Sequence, residues 1–307
     1  MKISKYLLLL MAFCLVSAAR GEIDLLESEC KKSKYGLEKY EVGGELAEAL
    51  IFDVHRVVPK NKISTTSLLL LHEIDGLGCE TGRLAHYLAN RTGMDVYLPS
   101  FYGEPLEAPG LLSKIWIWTS LSFSPNWSTV FNADSKVVDQ LDLLVTHIHS
   151  QTDSKVGVLG MCLTGGFPVA LSTNPHVALG IVSQPALPFL AFGMESRLGS
   201  LGISEERMSQ VIQKNDVPIL GLRYALDPLS PPEKFHRLKK DLGSNFFDCT
   251  ISTDELPDQQ DEIEWHSVLT GSKPKEDREN IAVDFIKTHL LGEEHAARHE
   301  CQERIES

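Results

Sequence analysis

The chain has 307 residues, 43% hydrophobic and 23% charged, with a formal net charge of −13. This suits one large domain or two small ones, with ample apolar material for a core. The acidic balance, with no Lys/Arg cluster, argues against nucleic acid or an anionic membrane surface as a partner.

The chain opens "MKISKYLLLLMAFCLVSAARGE". Lys2 and Lys5 form a basic start, Tyr6 to Val16 an apolar run, and Ser17-Ala18-Ala19 a small-residue cleavage site. The pattern predicts a secretory signal peptide over 1–19, too short to span a bilayer. Its removal takes the charge to about −15 and places the protein outside the cell or in a periplasm, with no membrane association after cleavage. A catalytic-size domain over 20–292 and a charged tail over 293–307 complete the expected organisation.

Short, nearly all-apolar runs follow at 51–58, 67–73, 94–99, 155–161, 177–183, 217–225 and 246–252. They predict strands buried on both faces. Helices are predicted near 80–91, 134–149, 165–173, 204–214, 231–241 and 276–291, with Asp134 and Ser204 as N-caps. Such alternation implies an α/β fold with a mostly parallel sheet and right-handed crossovers, its functional residues in loops at the strands' C-terminal ends. The segment 104–130, with Trp116, Trp118 and Trp127, breaks the pattern and reads as an excursion over the site.

Cleavage would leave five cysteines: Cys30, Cys79, Cys162, Cys249 and Cys301. An odd count leaves at least one thiol free or paired between chains. With Cys162 free, the other four admit any of three pairings. Asn90 in "NRT" and Asn126 in "NWS" fit the N-glycosylation pattern, which matters in a eukaryotic source.

In "VGVLGMCLTGGFPVAL" (156–171) an apolar strand turns at Cys162 into a predicted helix. A nucleophile at such a turn is exposed, the helix N-terminus favours a thiolate, and the glycines allow close packing. An α/β hydrolase then needs an acid and a histidine, in that order, after later strands. "YALDPLSPPEKF" supplies Asp227 and "EWHSVLTG" supplies His266. Glu73 in "LLLLHEIDGLG" ends an apolar strand, where a carboxylate has no structural use, and its loop is placed to offer an N–H to an oxyanion.

"HEIDGL", "GMCLTGG", "LRYALDPLSPPE" and "HSVLT" together resemble the dienelactone hydrolase family over roughly residues 40–292. The resemblance implies an α/β-hydrolase fold, with Cys162, Asp227 and His266 as a cysteine-nucleophile triad. It further implies that Glu73 holds the resting thiol and releases it on substrate binding, and that the N–H groups of Leu163 and Ile74 form the oxyanion hole. No cofactor is implied. Two features depart from the family: Thr164 in the elbow, and the absence of substrate-carboxylate arginines from "SVLTGSKPK" and from the stretch after "LPSFYGEP". A small ester, thioester or lactone is therefore the expected partner, without the dienelactone itself. Tyr102 and the tryptophans of 116–127, Trp116 and Trp118 among them, are candidates to line an apolar acyl pocket.

Other signals are weaker. In "GLGCETG" the third glycine of a dinucleotide fingerprint falls on Thr81. His147 and His149, two apart, point to different sides of a helix, and His295 and His299 lie in the charged tail, so no metal site is expected. A non-catalytic binding or redox-sensing protein is the alternative to the hydrolase. Glu73, Asp227 and His266 beside Cys162 favour the enzyme, since a binding module has no reason to retain all four.

Overall fold

The computed structural model describes residues 35–106, 116–117, 119–121, 124, 126–127, 134–188, 198–252, 266–271 and 276–293. The expected signal peptide, Cys30, Trp118, His295, His299 and Cys301 lie outside these residues.

Strand β1 (Glu38–Tyr40) and helix α1 (Glu45–Ala49) precede β2 (Asp53–Val57) and β3 (Ser67–Leu71). Helix α2 (Cys79–Thr92), β4 (Asp95–Ser100), α3 (Lys136–Thr152), β5 (Val156–Met161), α4 (Phe167–Leu171) and β6 (Val177–Ser183) follow. The order closes with α5 (Glu205–Lys214), β7 (Ile219–Tyr224), α6 (Pro232–Leu242), β8 (Phe246–Ile251) and α7 (Glu276–Leu290). The expected elements form within a few residues of their sequence limits. β1 and α1 were not anticipated, because they are too short and too exposed to carry a hydrophobic period.

The strands form one sheet in the order β1-β2-β4-β3-β5-β6-β7-β8. β2 runs antiparallel to β1 and β4, and the remaining neighbours are parallel. Alternation of side chains splits each central strand between two cores. Leu69, Leu71, Val158 and Val182 pack with Val137, Leu141, Val145, Val211 and Leu238 of α3, α5 and α6. Leu68, Leu70, Leu159 and Ile181 pack with Leu84, Leu88, Val283 and Ile286 of α2 and α7. This two-sided burial is why β3, β5 and β6 read as unbroken apolar runs. Each buried leucine contributes roughly 1.5–3 kcal/mol by leaving water. No helix among the described residues is long and apolar enough to cross a membrane.

Ser204 caps α5 by accepting from Arg207 N–H. Asp134 does not cap α3; Ser135 does, accepting from Val137 N–H. The helix begins one residue later than expected, and Asp134 instead accepts from Ser204 N–H and Oγ at 2.9 and 2.7 Å, joining the starts of α3 and α5.

Register fixes where the functional loops begin. Leu71, Gly160, Val182 and Gly221 stand opposite one another across β3, β5, β6 and β7. Two positions beyond each, in the same direction, come Glu73, Cys162, Gln184 and Arg223. One edge of the sheet thus gathers a carboxylate, a thiol, an amide and a guanidinium from stretches far apart in sequence.

Candidate active site

Strand β5 ends in a single turn of 3-10 helix, Cys162–Thr164, and Cys162 has φ 51°. That left-handed conformation costs a side-chain-bearing residue roughly 1–2 kcal/mol. Neighbouring groups hold it. Cys162 C=O accepts from Gly165 N–H at 3.0 Å and from Ala186 N–H at 2.9 Å. Thr164 Oγ1 accepts from Met161 N–H at 3.1 Å and directs its hydrogen at the carbonyls of Leu71 and His72, 3.1 and 3.2 Å away. Thr164 therefore locks the elbow to the end of β3. A Cβ at Gly160 would come within 2.3 Å of Thr164 O, and one at Gly165 within 2.6 Å of Pro185 Cα, so both positions need glycine.

Asp227 stands in the turn after β7 and His266 in the loop before α7. His266 Nδ1 lies 2.8 and 3.0 Å from the two Asp227 oxygens. Asp227 Oδ1 also accepts from the N–H groups of Leu229 and Ser230 at 2.9 and 3.2 Å. Arg223 braces this turn from below, donating to Ser230 O and Ala225 O. On the histidine loop, Arg83 donates to Leu269 O and Arg278 to Val268 O.

The imidazole interacts with the Cys162 thiol. Burial pushes the thiol up against the pull of His266, and the charges of Glu73 and Asp227 add to the rise. For His266, burial disfavours the charged form, but Asp227 and Cys162 outweigh it and hold the imidazole well above its ordinary value. Thiol and imidazole therefore titrate as a coupled pair, in which burial favours the protonated thiol and Asp227 makes the imidazole a strong base.

Glu73 is 7% exposed. Its Oε1 accepts from Gln184 Nε2 at 2.6 Å and Thr270 Oγ1 at 2.9 Å, and its Oε2 accepts from Ser267 Oγ at 2.9 Å. Its action on Cys162 is through charge. Ile74 and Leu163, whose N–H groups were expected to face an oxyanion, share one core cluster with Cys162, Ala186 and Leu187. Tyr102 packs against that cluster and donates from its hydroxyl to Glu73 O at 3.1 Å. Trp116 is 69% exposed, whereas Trp127 is buried among Phe101, Tyr102 and Phe167.

Several groups at the site were not singled out in the sequence: His72, Gln184, Ser267, Thr270 and Arg223. His72 is buried and pushed down to about 4 by desolvation. It donates from Nδ1 to Glu73 O at 2.6 Å and accepts Phe101 N–H at Nε2. Ser267 and Thr270 were visible in "HSVLTG", three residues apart, but nothing local tells a buried hydroxyl from a turn hydroxyl. Gln184 carried no signal, because sheet register alone brings it beside Glu73.

Cys79 and Cys249 are disulfide-bonded, and Cys162 is the free cysteine among the described residues. In those residues no three His, Cys, Asp or Glu side chains are grouped to hold a metal ion. His147 meets the Tyr40 hydroxyl at 3.3 Å, and the His149 ring stacks on His176.

No protein-family model and no curated protein matches the chain. Solved structures match it in fold. The dienelactone hydrolase of Anabaena variabilis superposes with a TM-score of 0.55 at 13% identity, covering 83% of this chain and 99% of that one. An arylesterase gives 0.53 at 8% identity, covering 94% and 98%. The monoacylglycerol lipase of Paleococcus ferrophilus gives 0.51 at 15% identity, covering 78% and 100%. The architecture is the α/β-hydrolase fold.

Proposed function

We propose that the protein is a cysteine-dependent hydrolase of a small ester or lactone, acting through Cys162, His266 and Asp227 and an acyl-enzyme. The observation that carries this is a free thiol held at positive φ on the β5 turn, in interaction with a histidine whose Nδ1 is bound by a buried aspartate. The fold neighbours named as a dienelactone hydrolase, an arylesterase and a lipase support a hydrolase.

In the first half-reaction His266 Nε2 takes the thiol proton as Cys162 Sγ bonds to the carbonyl carbon. The carbonyl oxygen becomes an oxyanion facing the N–H groups of Leu163 and Ile74. Collapse breaks the bond to the leaving alkoxide, which receives the proton from His266. A water then gives its proton to the same nitrogen and attacks the thioester, expelling the thiolate, which is reprotonated by His266. Asp227 holds the proton on Nδ1 throughout, leaving Nε2 free to accept. Burial first, and then the charges of Glu73 and Asp227, favour the protonated and so protected resting thiol until substrate binds. Tyr102, packed beside Trp127, is the residue assigned to the acyl pocket.

The disulfide-bonded Cys79 and Cys249 support an oxidising compartment, in keeping with a secreted or periplasmic protein released by removal of residues 1–19. The test is hydrolysis of a panel of aryl esters, thioesters and lactones by the protein and its Cys162→Ala form. Activity abolished in the variant supports the mechanism. Activity that survives it overturns the cysteine nucleophile, and no activity in either favours a binding or redox-sensing protein on the same fold.

A further inference from the structure

We infer that Glu73 is the positioning residue for His266: its carboxylate fixes the loop that carries the imidazole, through Ser267 and Thr270, and ties that loop to the end of β6 through Gln184. This rests on the proposed triad and adds a component to it.

The end of β3 is a rigid place from which to hold the loop. Glu73 C=O accepts from both His72 Nδ1 and the Tyr102 hydroxyl, at 2.6 and 3.1 Å, so its backbone is pinned before its side chain begins. The carboxylate then takes three donors from two other elements. Ser267 is the neighbour of His266 in sequence, and Thr270 stands at the far end of the same described loop. Arg83 and Arg278 hold carbonyls of that loop, those of Leu269 and Val268. Glu73 grips its hydroxyls, so the backbone of 267–270 is restrained from both sets of groups. A carboxylate suits this task because both oxygens accept, whereas a glutamine there would turn a donor toward one hydroxyl or toward Gln184. Burial pushes the carboxyl up, and His266 together with the Thr270 and Ser267 hydroxyls opposes that rise by favouring the carboxylate.

The consequence is that the distance between imidazole and thiol is set by Glu73. A displacement near 1 Å at a catalytic group costs about 10²-fold in rate. Two readouts test this: ester hydrolysis, and the rate of Cys162 alkylation by iodoacetamide as a function of pH, which reports thiol–imidazole coupling without requiring a substrate. The variants are Ser267→Ala/Thr270→Val, Glu73→Gln, Thr270→Ser and, as reference, His266→Ala, each checked for native near-UV circular dichroism. The double variant is expected to lose about 10²-fold in kcat with KM little changed. Its alkylation profile should shift toward that of His266→Ala, with Thr270→Ser remaining as wild type. Glu73→Gln also removes a charge that raises the thiol, so it is read by kcat alone, which should fall as in the double variant.

A natively folded double variant with wild-type kcat and alkylation profile overturns the inference. Should the double variant fail to fold, the single Ser267→Ala and Thr270→Val variants decide by the same criteria. If His266→Ala itself leaves the alkylation profile unchanged, thiol and imidazole are uncoupled and the triad fails along with its clamp. If His266→Ala alters the profile and the loop variants at Ser267 and Thr270 do not, the clamp alone is wrong.

Discussion

Asp227 and His266 are joined in a way that leaves no choice of proton placement. Both carboxylate oxygens lie within 3.0 Å of His266 Nδ1, and Oδ1 is also the acceptor for Leu229 and Ser230 N–H. In Asp227→Asn those two amides would select the oxygen at the Oδ1 position, turning the new NH2 toward Nδ1. The imidazole would then have to accept at Nδ1 and carry its proton on Nε2, where it cannot take one from the thiol. We predict a fall in kcat of about 10⁴-fold at neutral pH with the fold intact. Steady-state kinetics with circular dichroism checks this; a loss below tenfold would show that Asp227 only packs against the ring.

The pH dependence follows from the same pair. His266 is held above its ordinary value of 6.5, chiefly by Asp227 once burial has been overcome, so its protonated form persists to higher pH. The proton that blocks it must leave before it can accept from Cys162. The acid limb of kcat/KM should therefore lie above pH 6.5, with an apparent pKa that belongs to the coupled Cys162–His266 pair. Replacing Asp227 by Ala should move that limb to lower pH. An acid limb centred near 4 to 5 would instead point to a carboxylate as the base.

How far the sequence disclosed this molecule depends on the range of the forces concerned. β3, β5 and β6 were legible because burial on both faces leaves an unbroken apolar run. Cys162, Asp227 and His266 could be picked out as a group because chain order and strand-end position restrict a nucleophile, an acid and a base to few places. The supports of the site were hidden. Gln184 reaches Glu73 only because Gly160 pairs with Val182 across the sheet, a register no local pattern encodes. Arg83 reads as a surface residue of an amphipathic helix, yet it binds Glu279 of α7 and a carbonyl of the histidine loop. Asp134 and Ser135 both suit an N-cap, and only the place where α3 begins decides between them. Polar residues are ambiguous in sequence because their burial is settled by partners far away in the chain.

Thr164 tests whether the departure from a glycine-rich elbow has a purpose. Its hydroxyl accepts from Met161 N–H and faces the carbonyls of Leu71 and His72, all of them buried. Thr164→Val keeps the shape and removes those bonds, leaving buried polar groups unmatched at a cost of about 1–3 kcal/mol. Denaturant titration should show that loss, with Thr164→Ser recovering most of it. The strained Cys162 backbone should relax along with the bonds, so kcat should fall together with stability. A Thr164→Val protein as stable and as active as wild type would mean the elbow is held by Gly165 and Ala186 alone.

His72 should give the fold an acid-sensitive point. Burial drives it from 6.5 down to about 4, and its two nitrogens are committed to Glu73 O as donor and to Phe101 N–H as acceptor. A second ring proton would point at the Phe101 N–H, so the folded protein keeps the ring neutral. In the unfolded chain the same imidazole binds a proton near pH 6.5. Between about 6.5 and 4 the unfolded state therefore holds more protons, and stability falls as pH falls. The contribution is fully present above 6.5 and amounts to a loss on the order of 3 kcal/mol once pH reaches 4. Urea unfolding at pH 7, 5.5 and 4 should show this slope in the wild type. His72→Gln, able either to donate to Glu73 O or to accept from Phe101, should be less stable at pH 7 but lose less on acidification. Equal slopes in the two proteins would mean that His72 titrates freely in the folded state and that the floor beneath Glu73 is open to water.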